Sequence, residues 1–196
     1  MSKRVVRSAF RLGLWTLVGV VFLLPIMAVT GGSILTMFLK IEGVPGDSVD
    51  KDHKEWIELQ SCQWGISRPV GGTGSSRTNG PVAFTEMRFD KKIDKATPLL
   101  LDGICQGKVY PKVEIHLRSD SDKDERQTYM KIEIDDCLVS SIGSDSSSGS
   151  NAVAIPQESL SLNFAKIEVR YTDVDLATGA TNADVSGSCA ADVGTP

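Results

Sequence analysis

From residue 37 to residue 172, apolar and polar side chains mostly alternate with a period of two, which is typical of β-strands. The pattern predicts six strands, at Phe38–Glu42, Glu55–Ile66, Val82–Phe89, Val109–Leu117, Tyr129–Ile142 and Ile155–Tyr171. One segment differs from them. Thr97 as N-cap, Pro98 in the first turn and Gly107 at the end predict a short helix. The chain is therefore predicted to be mainly β.

The apolar positions change parity part-way along four of these strands. In the second strand, for example, Ile57 and Leu59 are followed by Cys62 and Trp64. A period-two pattern shifts phase only where a residue is inserted or the strand changes sheets, and strands that bend in this way close barrels. Two shorter strands in place of each long one are the alternative. The pattern favours a small antiparallel β-barrel with one short α-helix on its side.

The first 36 residues form an apolar leader. Four basic residues precede an uncharged run over residues 12–29, which predicts an N-terminal hydrophobic helix in contact with a membrane. The same run is typical of a signal peptide. Since Met37 begins the first strand, a start codon placed too far upstream would also explain it. The sequence leaves all three interpretations open.

Composition after the leader excludes one class of partner. Residues 37–196 carry 17 basic and 25 acidic residues, a net charge of −8, so no nucleic-acid partner is expected. Residues 37–172 form the predicted barrel. Residues 173–196 are poor in large apolar side chains and rich in Ala, Gly, Thr, Ser and Asp, which predicts a flexible tail.

The motifs that would indicate catalysis or cofactor binding are incomplete. The glycine-rich segment 71–77 lacks the Gly-Lys-Ser/Thr of a phosphate-binding loop. The two histidines, His53 and His116, have no G-x-S-x-G nucleophile to activate, and the four cysteines form no C-x-x-C pair. Three of the cysteines are predicted to be reduced core residues, with Cys189 a free thiol in the tail. We expect no enzyme activity, no cofactor and no metal.

Several segments, in order and suitably spaced, resemble one known family. They are Met37–Gly43 with Gly46-Asp47-Ser48, Asp50–His53 with Ile57-Glu58-Leu59 and Trp64-Gly65, Phe89–Pro98, Leu138–Ser141 and Glu158–Ile167. This set is similar to the haemolysin-coregulated protein (Hcp) family, the tube subunits of type VI secretion. The resemblance covers nearly all of residues 37–172. The leader and the tail depart from the family pattern.

The resemblance implies a transport structure. Six copies would form a homohexameric ring, and stacked rings would make a hollow tube inside a contractile sheath. A spike protein would cap the tube, and effector proteins would travel in the ring lumens. The protein would occupy the bacterial cytoplasm before firing and then be secreted. If the leader is genuine, a membrane-anchored or exported binding module outside the secretion machine, held at the inner membrane, is the alternative.

Two sets of residues are candidates for this function. The loops Gly43–Lys54 and Arg68–Gly80 have the length to reach neighbouring subunits, so the candidate ring or tube contacts are Asp47, Asp50, Lys51, His53 and Arg77. The candidate lumen face is the polar side of the fourth strand, with Lys112, Glu114, His116 and Arg118. An outer surface is an equally simple interpretation of that face.

Overall fold

The computed structural model describes residues 34–120, 127–145, 156–174 and 181–191. Its strands are β1 (Ile34–Ile41), β2 (Ile57–Gln63), β3 (Ile66–Ser67), β4 (Val70–Gly71), β5 (Thr78–Asn79), β6 (Ala83–Phe84), β7 (Met87–Lys92), β8 (Val109–Asp120), β9 (Gln127–Asp145), β10 (Gln157–Asn163), β11 (Lys166–Val174) and β12 (Thr181–Ala190). One α-helix, α1 (Ala96–Gln106), occurs in these ranges. The predicted mainly β class with one short helix is confirmed.

The antiparallel pairings of the main sheet run in a cycle. β1 lies between β2 and β8, β2 pairs with β7, and β8 pairs with β9. β10 completes the cycle because it pairs with β7 on one side and with β9 on the other. β11 and β12 extend the sheet outward from the first half of β9.

The 19-residue strand β9 bends where the sequence shifts phase. Asp136 has a left-handed backbone with φ of 53°, and the buried side chains change there from Ile132 and Ile134 to Cys137 and Val139. The bend lets β9 pair with β11 before it and with β10 after it. In β2, a register shift between Leu59 and Ser61 accounts for the second predicted slip.

The other two predicted slips are breaks between shorter strands. Val82–Phe89 divides into β6 and β7, and Ile155–Tyr171 divides into β10 and β11. The break after β10 needs no turn residue, because the Ala165 amide donates to the Asp135 carbonyl of β9 at 3.0 Å and keeps the chain on the same partner. The run Ile155–Tyr171 is thus two shorter strands, the alternative interpretation, but no turn separates them and both pair with β9.

The core fills the inside of the cycle. Its fully buried side chains include Leu39, Ile57, Met87, Ile115, Ile132, Leu160 and Leu162. The helix α1 contributes Leu100 to this core, and Gly107 ends the helix with φ of 60°, as predicted. Asp94 rather than Thr97 caps its start, since Asp94 Oδ1 accepts the Ala96 amide at 2.9 Å.

The prediction of a flexible tail is wrong for residues 181–190. β12 pairs with β11 along its whole length, with Cys189 opposite Ile167 and packed against the core. Its side chains are mostly small, so composition concealed a strand that is held by backbone hydrogen bonds. Cys105 is exposed on α1 instead of lying in the core, whereas Cys137 is buried and Cys62 is half-buried.

The predicted N-terminal hydrophobic helix and its membrane contact through residues 12–29 lie outside the described residues. Over the ranges that the structure describes, no helix has the length and apolar character needed to cross a bilayer.

Candidate functional site

Charged side chains stand in three rows on the sheet face that points away from the core, which we call the charged face. The middle row crosses four strands and consists of Lys40, Glu114, Glu133 and Glu168. The row on one side consists of Lys112, Asp135 and Lys166, and the row on the other side of His116, Lys131 and Arg170. A mostly acidic row therefore lies between two mostly basic rows.

Ion pairs join the members of the charged face. Lys112 Nζ lies 2.6 Å from Glu133 Oε2, and Lys40 Nζ lies 3.3 Å from Glu114 Oε1. The hydrogen bond from Lys112 to Glu133 raises the pKa of Lys112. Exposed ion pairs add little to stability, so the pattern serves the surface rather than the fold. Five basic and four acidic side chains make this surface hydrated and close to neutral.

Residues 44–56, which we call the covering loop, fold over one end of the charged face. Three backbone hydrogen bonds close the loop on itself: Gly46 N to Glu55 O at 2.7 Å, Ser48 N to Trp56 O at 3.0 Å and Glu55 N to Ser48 O at 2.9 Å. A Cβ at Gly46 would lie 2.3 Å from the Trp56 carbonyl oxygen, so only glycine fits the closed loop.

An ion pair fixes the covering loop to β8. The Arg118 Nη1 group donates to Asp50 Oδ1 at 2.8 Å, and the backbone amides of Asp52 and His53 donate to the same oxygen. Burial alone would raise the pKa of Asp50, but these hydrogen bonds outweigh burial and hold its pKa well below the usual range. Arg118 is 2% exposed, so breaking this pair would leave a buried cation.

Aromatic rings surround the second attachment of the covering loop. The His53 ring stacks on Phe38 with 4.3 Å between centroids and meets Trp56 edge-on at 4.7 Å. Its Nε2 atom lies 2.8 Å from Nδ1 of His116 on β8. Burial lowers the pKa of both histidines, that of His116 to about 4 with further contributions from His53 and Lys131.

Residues 64–85 form an exposed extension, which we call the arm. Two short strand pairs, β3 with β6 and β4 with β5, give it shape. Large apolar side chains on it remain exposed, as in Ile66 and Val70. Between residues 65 and 85 the charged residues are Arg68 and Arg77, which makes the arm basic.

The structure divides the predicted site residues into two groups. Those at exposed or half-buried positions are Asp47, Lys51 and Arg77 in the loops and Lys112, Glu114 and His116 on the charged face. The side chains of Asp50, His53 and Arg118 lie together, almost completely buried, where the covering loop meets β8. Their role as ring, tube or lumen residues stays a prediction. The loop was expected to project to a neighbour, but part of it folds back on its own sheet.

Other members of the site were missed from the sequence. Lys131 and Glu133 alternate with the buried Ile132 and Ile134, and this alternation was a usable signal for the charged face. The partners that β11 contributes, and the packing of Phe38 on His53, required the strand register.

The arrangement of Asp50 and His53 does not form a hydrolytic site. It contains the carboxylate and imidazole of a triad, but His53 Nε2 faces a second imidazole where a hydroxyl or thiol nucleophile would lie. In the described ranges, no group of three or more His, Cys, Asp and Glu side chains is placed to hold a metal ion.

Comparisons with known proteins agree with this architecture. The family model described as "Type VI secretion system effector, Hcp" matches residues 38–171. A Pseudomonas aeruginosa protein named hcp1 is 34% identical over 136 residues, which cover 69% of this chain and 82% of the relative.

Solved structures show the same fold. One described as a type six secretion system protein superimposes with a TM-score of 0.70 at 22% identity, covering 79% of this chain and 93% of the other. Hcp1 from Salmonella typhimurium gives a TM-score of 0.60 at 25% identity, with 80% and 94% covered. The chain therefore belongs to the Hcp family, and it is a tube protein of type VI secretion.

Proposed function

We propose that this chain assembles into a homohexameric ring, and that stacked rings form a hollow tube that carries or shelters effector proteins. The charged face carries the proposal. It is a broad polar surface on the same sheet whose other side packs the core. Copies related by a rotation that closes form rings, and a ring that carries protein cargo needs such a wetted wall.

In this arrangement the charged face lines the lumen. Its alternating rows are nearly neutral in sum, so they stay hydrated and do not present a continuous apolar surface to which folded cargo would adhere. Lys112, Glu114 and His116 contribute to this wall. Arg118 does not, because the covering loop buries it.

The rim of the protomer supplies the contacts. The cycle of six strands supports a closed barrel, a rigid body from which the arm and the exposed part of the covering loop extend. Asp47 is 61% exposed at its side chain, and Lys51 and Arg77 are also exposed. Asp47 on the loop is opposite in charge to Arg77 on the arm, which suits contacts between copies.

The partners of such a tube follow from its task. A spike protein would cap the stack, a contractile sheath would surround it, and effectors would occupy the lumens. The tube would assemble in the bacterial cytoplasm and leave the cell when the sheath contracts. The family relationship supports these assignments.

The test is to image the assembly and to locate the charged face in it. Size-exclusion chromatography and negative-stain microscopy of the purified full chain should show six-fold rings with a central opening. Particles that remain monomeric at high concentration would refute the ring.

Gold labelling distinguishes the lumen from the rim. In a Cys105→Ser background, which removes the exposed natural thiol, Glu133→Cys should place a maleimide-gold label at the ring centre. The matched control Asp102→Cys, on the exposed side of α1, should place it elsewhere. A label on the outer rim from Glu133→Cys would overturn the lumen assignment.

A further inference from the structure

Two imidazoles face each other where the covering loop meets β8. His53 comes from the loop, His116 comes from the strand, and 2.8 Å separates His53 Nε2 from His116 Nδ1. A hydrogen bond between two imidazole nitrogens needs one proton between them. When both rings are protonated, both nitrogens carry hydrogen, and the contact becomes repulsive.

The surroundings of the pair oppose additional positive charge. Arg118 Nη1 lies 3.2 Å from His53 Nδ1, and the carboxylate on that side, Asp50, already accepts a hydrogen bond from Arg118. Asp52 is the other loop carboxylate near this ring, 3.9 Å from Arg118. Phe38 and Trp56 cover the ring and exclude water.

The surroundings of His116 also oppose additional positive charge. Lys131 on β9 is its register neighbour, and Lys40 on β1 is a further cation that acts on it. Two carboxylates, those of Glu133 and Glu114, oppose the effect of these cations. Glu114 Oε2 lies 4.0 Å from His116 Nε2. Both carboxylates are also engaged by lysines, Glu133 by Lys112 and Glu114 by Lys40.

We propose that the His53–His116 pair is an acid-labile clasp that holds the covering loop on the sheet near neutral pH and releases it on acidification. Release would carry His53 into water and away from Arg118, and it would expose His116, which stays on β8 beside Lys131. Both imidazoles could then take up protons from water. The chain thus contains a proton-driven switch in one protomer, and this inference does not rest on the proposed ring.

The direction of the pH effect follows from proton linkage. Burial holds the pKa of both histidines below the value of about 6.5 that a released imidazole has, and that of His116 is about 4. Between these values the released loop binds more protons than the closed loop, so opening becomes easier as the pH falls from 6.5 to 4. Asp50 stays ionised throughout this window, because its pKa is held well below it.

The first test uses the fact that the chain has only two histidines. In NMR titrations of the full chain, both imidazoles should titrate below their ordinary pKa. The amides of Gly46, Ser48 and Glu55, which bond across the loop, should respond with the same midpoint as one of them. Loop amides that do not respond, or that titrate with an unrelated midpoint, would overturn the clasp.

The second test measures opening directly. Hydrogen exchange of these three amides, corrected for the intrinsic pH dependence, should accelerate by about 10-fold between pH 7.5 and pH 5. The double variant His53→Gln/His116→Gln, which cannot titrate, should lose this acceleration. Equal acceleration in the variant would refute the proposal. Should the variant not fold, the titration of the natural chain decides.

Discussion

The ammonium group of Lys91 on β7 contacts the carboxylate of Glu158 on β10, and both side chains are almost completely buried. Lys91 Nζ also donates to Asp94 Oδ1 at 2.8 Å, and the Thr97 hydroxyl donates to Glu158 Oε1 at 2.8 Å. One buried polar cluster therefore joins two strands of the cycle to the first turn of α1. It holds the helix against the end of the core.

Removing one member of this cluster should destabilise the fold strongly. Lys91→Met leaves Glu158 as a buried anion without its cation, and we expect the free energy of unfolding to fall by about 3–5 kcal/mol. Urea denaturation followed by circular dichroism measures it. The double variant Lys91→Met/Glu158→Leu should lose less than the single variant, because no uncompensated charge remains. A loss below about 1 kcal/mol in Lys91→Met would contradict this account.

Gly103 on α1 leaves room for the hydroxyl of Tyr110 on β8. A Cβ at Gly103 would lie 2.2 Å from that oxygen, and Tyr110 is buried, with 1% of its surface exposed. Gly103→Ala should therefore lower the free energy of unfolding by about 1–3 kcal/mol in spite of the better helix propensity of alanine.

Tyr110→Phe provides the matched control. Within the described ranges the Tyr110 hydroxyl is buried without a hydrogen-bond partner, so its removal alone should leave stability unchanged or raise it by up to about 1 kcal/mol. The double variant Gly103→Ala/Tyr110→Phe should recover most of the stability that Gly103→Ala loses. Thermal unfolding of the variants measures this recovery. If Tyr110→Phe does not restore the stability lost in Gly103→Ala, the close contact between residue 103 and the hydroxyl is not the cause of that loss.

Three of the four thiols should differ in reactivity by position. Burial raises the pKa of Cys137 to about 12 and that of Cys62 to about 11, so neither forms the nucleophilic thiolate at neutral pH. Cys105 is exposed and should react first with N-ethylmaleimide, as peptide mass spectrometry would show. Cys137 should be labelled only after denaturation. Early modification of Cys137 would contradict its placement in the core.

Local alternation predicted the core strands of residues 37–172, and the residues at its two ends predicted the helix, but long-range pairing was not accessible from either signal. The phase slip at Asp136 was visible because Ile134 and Cys137 have opposite parity. The ion pair between Asp50 and Arg118 could not be predicted in this way, because it joins residues 68 positions apart in a loop that folds back on the sheet. Charged residues in a loop look the same in sequence whether they project into solvent or fold inward.

β12 shows a different limit of the sequence. Its pairing with β11 depends on backbone hydrogen bonds, which any residue except proline can form, so small and polar side chains carried no apolar pattern to detect. At Ala165 the change of parity was visible in the sequence, but the backbone bond to Asp135 that keeps the chain on its partner strand was not.

Asp50 should stabilise the fold through its charge. Asp50→Asn leaves Arg118 as a buried cation, and we expect the free energy of unfolding at pH 7 to fall by about 3–5 kcal/mol. The folded pKa of Asp50 lies below the unfolded value of about 3.9, so its contribution is complete above that value and declines as the pH falls through it towards the folded pKa. The difference in the free energy of unfolding between the natural chain and Asp50→Asn should thus be constant from pH 7 to pH 5 and become smaller below about pH 4. Urea titrations at pH 7, 5 and 3.5 measure it.

Asp47→Asn, at an exposed carboxylate in the same loop, should change stability by less than about 0.5 kcal/mol. A gap at pH 7 no larger than that of this control would show that the buried ion pair does not hold the covering loop.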